Sequence, residues 1–159
     1  MGNTIILRKI DETNWKEAIQ LKVSEDQEEY VASNLYSIAQ FQFLKDFKAM
    51  GVYMDEQMVG FAMYGIDSDD GNYWIYRLMV DKKYQGRGVG KQAIGKILED
   101  INANNTGGIP CVILGFHPEN KVAKHVYEKA GFVETEMASW GEQLARLELN
   151  KEQKGAWKQ

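Results

Sequence analysis

Residues 73–101 change character abruptly and in a fixed order. Tyr73-Trp74-Ile75-Tyr76-Arg77-Leu78-Met79-Val80 is rich in aromatic and aliphatic residues and reads as a strand. Residues 82–91, Lys82-Lys83-Tyr84-Gln85-Gly86-Arg87-Gly88-Val89-Gly90-Lys91, form a basic, glycine-rich loop. Ile94, Ile97, Leu98 and Ile101 then recur at helical spacing. Residues 104–108 end this helix, and residues 112–116 are a nearly all-apolar strand of the kind covered on both faces. A strand, a glycine loop, a helix and a second buried strand make a βαβ unit, so the two strands run parallel. That unit rules out an all-α or all-β chain.

The flanking segments add an antiparallel part. Residues 4–9 read as a first strand. Thr13 is the expected N-cap of a helix to about residue 23, with Trp15, Ala18, Ile19 and Val23 on one face. A second helix is expected over residues 34–48, because Ile38, Phe41, Leu44 and Phe47 form one apolar stripe. Residues 52–55 and 58–66 are strands joined by a turn at 55–57, and a polar turn at 67–72 leads into the strand at 73–80. After the central unit comes a helix over 120–130, stopped by Gly131. Strands at 132–138 and 142–149 flank a turn at Trp140-Gly141. The order is β-α-α-β-β-β-α-β-α-β-β. Residues 1–159 are expected to form a single domain, with 150–159 a polar tail in which Trp157 stands out.

Composition narrows the function classes. The chain has 159 residues, 44% hydrophobic and 26% charged, enough for a core without disulfide or metal staples. Its single cysteine, Cys111, is read as a buried small residue, and with only two histidines no metal site is expected. A net charge of −4 argues against a general nucleic-acid binder. Apolar runs are too short to span a membrane and no leader pattern is visible, so the cytoplasm is the expected compartment. Residues 1–70 carry a net −7 and residues 71–159 a net +3, a split suited to a cationic and an anionic ligand.

The loop at 82–91 has the makings of an anion site. The first amides of a helix lack partners within it and lie at the positive end of its dipole. Gly86, Gly88 and Gly90 let a pyrophosphate approach closely, and Arg87 and Lys91 add charge. The P-loop pattern fails, because Gln85 and Gln92 stand where Gly and Ser/Thr are needed. Gly88-Val89-Gly90-Lys91-Gln92-Ala93 meets the dinucleotide pattern literally, but the loop begins well past the strand and no acid closes the next one.

Gln85-Gly86-Arg87-Gly88-Val89-Gly90 also meets the pattern Gln/Arg-x-x-Gly-x-Gly/Ala, with Asp81 and Tyr84 ahead of it. Asn120-x-x-Ala123-x-x-x-Tyr127-x-x-x-Gly131-Phe132 follows at the matching distance. On these two segments the chain resembles the GNAT (GCN5-related) N-acetyltransferase superfamily over about residues 4–149. Residues 59–65, Val59-Gly60-Phe61-Ala62-Met63-Tyr64-Gly65, and Val23-Ser24-x-x-Gln27-x-x-Tyr30 are similar to bacterial spermine/spermidine acetyltransferases.

The resemblance implies a three-layer α/β fold: a mixed, mostly antiparallel sheet of about seven strands with helices on both faces. It implies acetyl-CoA as cosubstrate and a small primary amine, a polyamine such as spermine or spermidine, as acceptor, with room for a homodimer; composition and charge add the expectation of no metal, nucleic acid or membrane partner. The pyrophosphate is expected on the amides of residues 87–91, with Gln85 and Gly86 leading in. The pantetheine arm is expected beside Leu78, Met79 and Val80, between two diverging parallel strands. Asn120 and Ala123 would border the arm, and Lys124 (or Lys121 or Lys129) would reach the nucleotide phosphates. Tyr127 would protonate the departing sulfur, and an amide near Val80 would hold the oxyanion. Many relatives carry a glutamate on the strand before the glycine loop. Residues 73–80 contain no acid, which leaves the base to an early acid or to water. For a polyamine, Glu25, Glu28 and Glu29 would hold ammonium groups, and Tyr30, Trp74 and Tyr76 would wall the methylenes. His117 stands near the cofactor side, whereas His125 is expected to be exposed. The alternatives are a protein or peptide N-acetyltransferase of the same fold and a non-catalytic acyl-CoA binding module.

Overall fold

The computed structural model describes residues 4–149, and the tail at 150–159, with Trp157, lies outside the described residues. The strands are β1 (Ile5–Lys9), β2 (Asp46–Met54), β3 (Gln57–Ile66), β4 (Tyr73–Val80), β5 (Cys111–Phe116), β6 (Val133–Met137) and β7 (Gln143–Glu148). The helices are α1 (Trp15–Gln20), α2 (Asn34–Phe41), α3 (Val89–Asn104) and α4 (Lys121–Lys129), with short 3-10 turns at Glu25–Tyr30 and Lys82–Tyr84. The element order matches the one read from the sequence. The seven strands form one sheet in the order β1-β2-β3-β4-β5-β7-β6. Every pairing is antiparallel except β4 with β5.

Alternation along β3 shows how the layers arise. Ala62 and Tyr64 join a core with Ile94, Ile97, Leu98 and Ile101 of α3 and Tyr127 of α4. Phe61 and Met63 point the other way, into a core with Ala18 of α1, backed by Ile38 and Phe41 of α2. Successive side chains of a strand face opposite sides, so a strand buried throughout needs helices on both faces. This is the three-layer arrangement that the resemblance implies. Cys111 is fully buried, as its composition suggests, and burial pushes its thiol above its ordinary pKa.

Two local expectations are corrected. Thr13 is not the N-cap of α1. Its hydroxyl donates to the Asp11 carboxylate at 2.6 Å, as does its own N–H at 2.8 Å, and Asn14 takes the cap position. The carboxylate two residues upstream outcompetes the helix for the hydroxyl. The helix expected over 34–48 ends at Phe41. Phe43 and Leu44 donate to the carbonyls three residues back, and β2 begins at Asp46. Ile38, Phe41, Leu44 and Phe47 do pack on one core, but from a helix, a turn and a strand in succession. Gly65 of β3 enforces the change. A Cβ there would lie 2.1 Å from the Asp46 carbonyl oxygen, so only glycine lets β2 approach this closely.

Candidate active site

The site begins where β4 and β5 part. They pair over only three rungs, Tyr73 with Val112, Trp74 with Ile113 and Ile75 with Leu114. On the other side of β4, Met63 of β3 faces Arg77 and Tyr64 faces Ile75, which leaves Tyr76 as an extra residue. Such a bulge bends its strand and increases its local twist. Here it falls where the parallel pairing ends, and β4 leaves β5 from that point.

The glycine loop closes one end of the opening. Asp81, buried, accepts the N–H of Lys22 at 2.8 Å and of Lys83 at 3.2 Å, tying the loop's entry to the segment after α1. Gly86 and Gly88 have φ of 81° and 78°, a region that side chains disfavour. A Cβ at either would meet no heavy atom within 4 Å, so both face open space. From Gly86 to Lys91 no backbone N–H has an acceptor among the described residues. Buried Val89 pins the start of α3 against β1–β3. Between this loop, the end of β4 and α4 lies a cavity of about 450 Å³. Leu78, Met79, Val80, Gln85, Gly86, Gly88, Val89, Gly90 and Lys91 line it from one side, and Asn120, Ala123 and Tyr127 from the other. Unbonded amides beside glycines, followed by an apolar slot, fit a pyrophosphate with an extended arm.

Three residues expected at the cofactor stand differently. Arg87 is exposed outside the cavity lining, its guanidinium 5.5 Å from the centre of the Tyr84 ring. Lys124 lies outside the lining and pairs with Glu134 at 3.5 Å, while Lys129 lines the cavity. Gln85 turns inward, donating to the Val80 carbonyl at 2.9 Å and to the Gln27 side chain at 3.0 Å. It thereby occupies one of the Val80 backbone groups and joins the loop to the Glu25–Tyr30 turn.

A second cavity, of about 300 Å³, adjoins the first. Tyr127 lines both, as do Val31, Leu78, Met79, Asn120 and Ala123. The Asn120 side chain accepts the Ala123 N–H at 3.2 Å and caps α4, which fixes the face that α4 turns to the cavities. The Tyr127 ring is packed between Phe116 and Phe132, with centroids 5.8 and 6.1 Å away. Its hydroxyl makes no hydrogen bond among the described residues. Burial raises its pKa well above the ordinary tyrosine value, and the charge of Glu142 adds to this. The phenol therefore stays protonated at neutral pH and is able to donate.

Of the residues expected at the acceptor, Tyr30 and Tyr76 line the second cavity. The Tyr30 ring packs against His117 with centroids 4.5 Å apart and planes tilted by 38°, and its pKa is raised by burial and then by Glu119, Glu29 and Asp26. The Tyr76 hydroxyl donates to Asp67 at 2.5 Å. Trp74 lies beside Tyr76 but bonds outward, its indole N–H donating to Asp70 at 2.9 Å. Glu25 and Glu29 are exposed and line neither cavity, while Glu28 lines a third, against Val31, Asn34 and Met79. His125 is exposed.

Among the residues of the second cavity that sequence reading missed are its two charged ones, Arg77 and Glu142. Burial lowers the Arg77 pKa, and its buried Nε has no partner among the described residues. Glu142 reaches the cavity only because β7 inserts between β5 and β6, a placement no local pattern announces. No group of three or more His, Cys, Asp or Glu suited to a metal occurs among the described residues. Nor is any described helix long and apolar enough to cross a membrane.

Comparison with known proteins places the chain in a family. A "Probable spermine N(1)-acetyltransferase" of Bacillus subtilis subsp. natto is 27% identical over 135 residues, covering 81% of this chain and 88% of that protein. The "Spermine/spermidine N(1)-acetyltransferase" of Bacillus subtilis is 26% identical over the same shares. Among solved structures, the spermidine N-acetyltransferase of Vibrio cholerae, in complex with CoA and spermine, has the same fold at a TM-score of 0.69. It is 17% identical, and the match covers 91% of this chain and 94% of that one. Residues 10–132 match the sequence model of the acetyltransferase (GNAT) family, and the chain belongs to that family.

Proposed function

We propose that this acetyltransferase transfers an acetyl group from acetyl-CoA to a primary amine of a polyamine, spermine or spermidine, with Tyr127 as general acid. The observation that carries the reading is the position of Tyr127 at the junction of the two cavities. One cavity has the amides and apolar walls suited to acetyl-CoA, and the other has the aromatic walls suited to an alkylamine. Acetyl-CoA supplies an activated thioester acyl group. The loop amides hold its phosphates, and Leu78, Met79 and Val80 align the arm along the free side of β4. The acceptor approaches from the second cavity, past Tyr30 and Tyr76. The Tyr127 hydroxyl gives its proton to the sulfur as the carbon–sulfur bond breaks, and a proton from the new amide nitrogen replaces it. The polyamine assignment draws on the two Bacillus relatives and on the acids Glu25, Glu28 and Glu29, which share the turn that carries Tyr30.

The test is a thiol-release assay with acetyl-CoA across butylamine, putrescine, spermidine, spermine, aminoglycosides and peptides. The reading expects the highest kcat/KM for spermidine or spermine. Preference for a peptide N-terminus would replace the small polycation with a protein acceptor. CoA binding without thiol release from any amine would leave a binding module.

A further inference from the structure

Glu142 is the one carboxylate lining the two joined cavities among the described residues. It enters from the turn before β7, and its position is controlled from two sides. The Trp140 indole N–H donates to Oε1 at 2.8 Å. Opposite, Gly115 of β5 leaves the space that the carboxylate fills: a Cβ there would lie 2.8 Å from Oε1 and 3.1 Å from Leu144 Cδ2. The second oxygen, Oε2, has no hydrogen-bond or ion-pair partner among the described residues. Arg77 lines the same cavity but forms no ion pair with Glu142 within 4.0 Å, and its terminal nitrogens bond the Tyr76 carbonyl and Gln40. The charge of Glu142 is felt at both Arg77 and Tyr127, so it acts inside the cavity and not only at the surface.

A half-buried carboxylate with one oxygen held by Trp140 and the other without a partner among the described residues suits a cationic ligand. Tyr30 and Tyr76 supply walls for an alkyl chain beside it. We propose that Glu142 is the counter-charge that draws in the reacting amine of the acceptor as its ammonium, before that nitrogen releases a proton to water and attacks, and that Trp140 and the missing side chain at Gly115 hold Glu142 in position. The proposal rests on the acetyltransferase reading above and makes Glu142 an acceptor-binding residue, with Trp140 and Gly115 as positioning residues.

The experiment measures KM and kcat for butylamine, putrescine, spermidine and spermine in Glu142→Gln, Glu142→Asp, Trp140→Phe and Gly115→Ala, with calorimetric CoA titrations beside them. Trp140 is 63% exposed, so Trp140→Phe removes the indole donor with little effect on folding. Glu142→Gln should raise KM for every amine turned over, by about tenfold or more, with CoA affinity unchanged. The factor should be the same for butylamine as for spermine, because one ammonium is involved. Glu142→Asp should recover part of the loss. Gly115→Ala and Trp140→Phe should raise KM in the same pattern but less. An unchanged KM in Glu142→Gln, or a loss confined to kcat, would overturn the proposal while leaving the polyamine reading intact. Turnover of butylamine but not of spermine would remove the polyamine reading, with Glu142 still tested on the monoamine. A parent protein that turns over no amine would overturn both.

Discussion

Gly88 allows the phosphate assignment to be tested by charge alone. It caps α3 with φ 78° and ψ 11°, in the left-handed region, and a Cβ there meets nothing within 4 Å. Asn and Asp are the side chains that tolerate this conformation best, at a shared strain of about 1 kcal/mol. Both also serve as N-caps, which offsets part of that strain. Gly88→Asn and Gly88→Asp therefore differ mainly by one negative charge beside the unbonded amides. Two unit charges about 6 Å apart interact by about 2.8 kcal/mol at an effective dielectric constant near 20. Solvent and salt at the open groove reduce this, so Asp should bind CoA about ten- to a hundredfold more weakly than Asn. Without ligand the order should reverse, because an acid at a helix N-terminus stabilises it by about 0.3–1 kcal/mol. Calorimetric titration with CoA at low and high salt, beside thermal melts, measures both effects. Equal CoA affinities for the two folded variants at low salt would refute the placement of the phosphates.

Three further outcomes are expected. Tyr127→Phe should lower kcat by about 10²–10⁴-fold with CoA affinity unchanged, and a kcat within about twofold of the parent, measured where chemistry limits the rate, would assign the proton to another donor. Changing Glu25, Glu28 and Glu29 together to Gln should raise KM for spermine more than for butylamine, and added salt should reproduce part of this in the parent; equal effects on both amines would count against a role in holding distal charges. Tyr64→Phe should cost about 1–2 kcal/mol in chemical denaturation. The buried Tyr64 hydroxyl donates to Asp100 at 2.6 Å, but Lys48 remains 2.8 Å from that carboxylate, so no charge is orphaned. Burial and Asp100 raise the Tyr64 pKa above its ordinary 10.0. Its stabilising contribution is therefore complete below pH 10 and is lost as pH rises beyond it, and Tyr64→Phe should flatten the alkaline limb of the stability curve.

What the sequence made legible was local or short-range. The strand–loop–helix at residues 73–104 carries its own turn chemistry and periodicity, and these agree with each other. The end of α2 was hidden because a period of three at Ile38, Phe41, Leu44 and Phe47 suits a helix, while the pairing of Asp46 and Phe47 with β3 is decided by Gly65 nearly twenty residues on. Tyr76 was read as a wall residue, but its role as the bulge of β4 depends on register with β3. Glu142 was invisible for a similar reason. Its approach to Gly115 exists only once β7 has paired with β5, a contact between segments that no spacing rule connects.

The three-rung join between β4 and β5 divides the sheet into two hydrogen-bonded leaves, β1–β4 and β5–β7. Beyond the last rung the leaves are connected mainly by the core beneath, where Ile75, Leu114, Phe116 and Tyr127 meet α3. An extended ligand that bonds to the free edge of β4 and packs against α4 acts as a strut across the seam. Its binding free energy then adds to the cohesion of the two leaves, by about 2.7 kcal/mol at a hundred times Kd. Amide exchange should slow along residues 76–80 and 111–116 together when CoA binds. The same seam should be the first part of the sheet to open when it leaves.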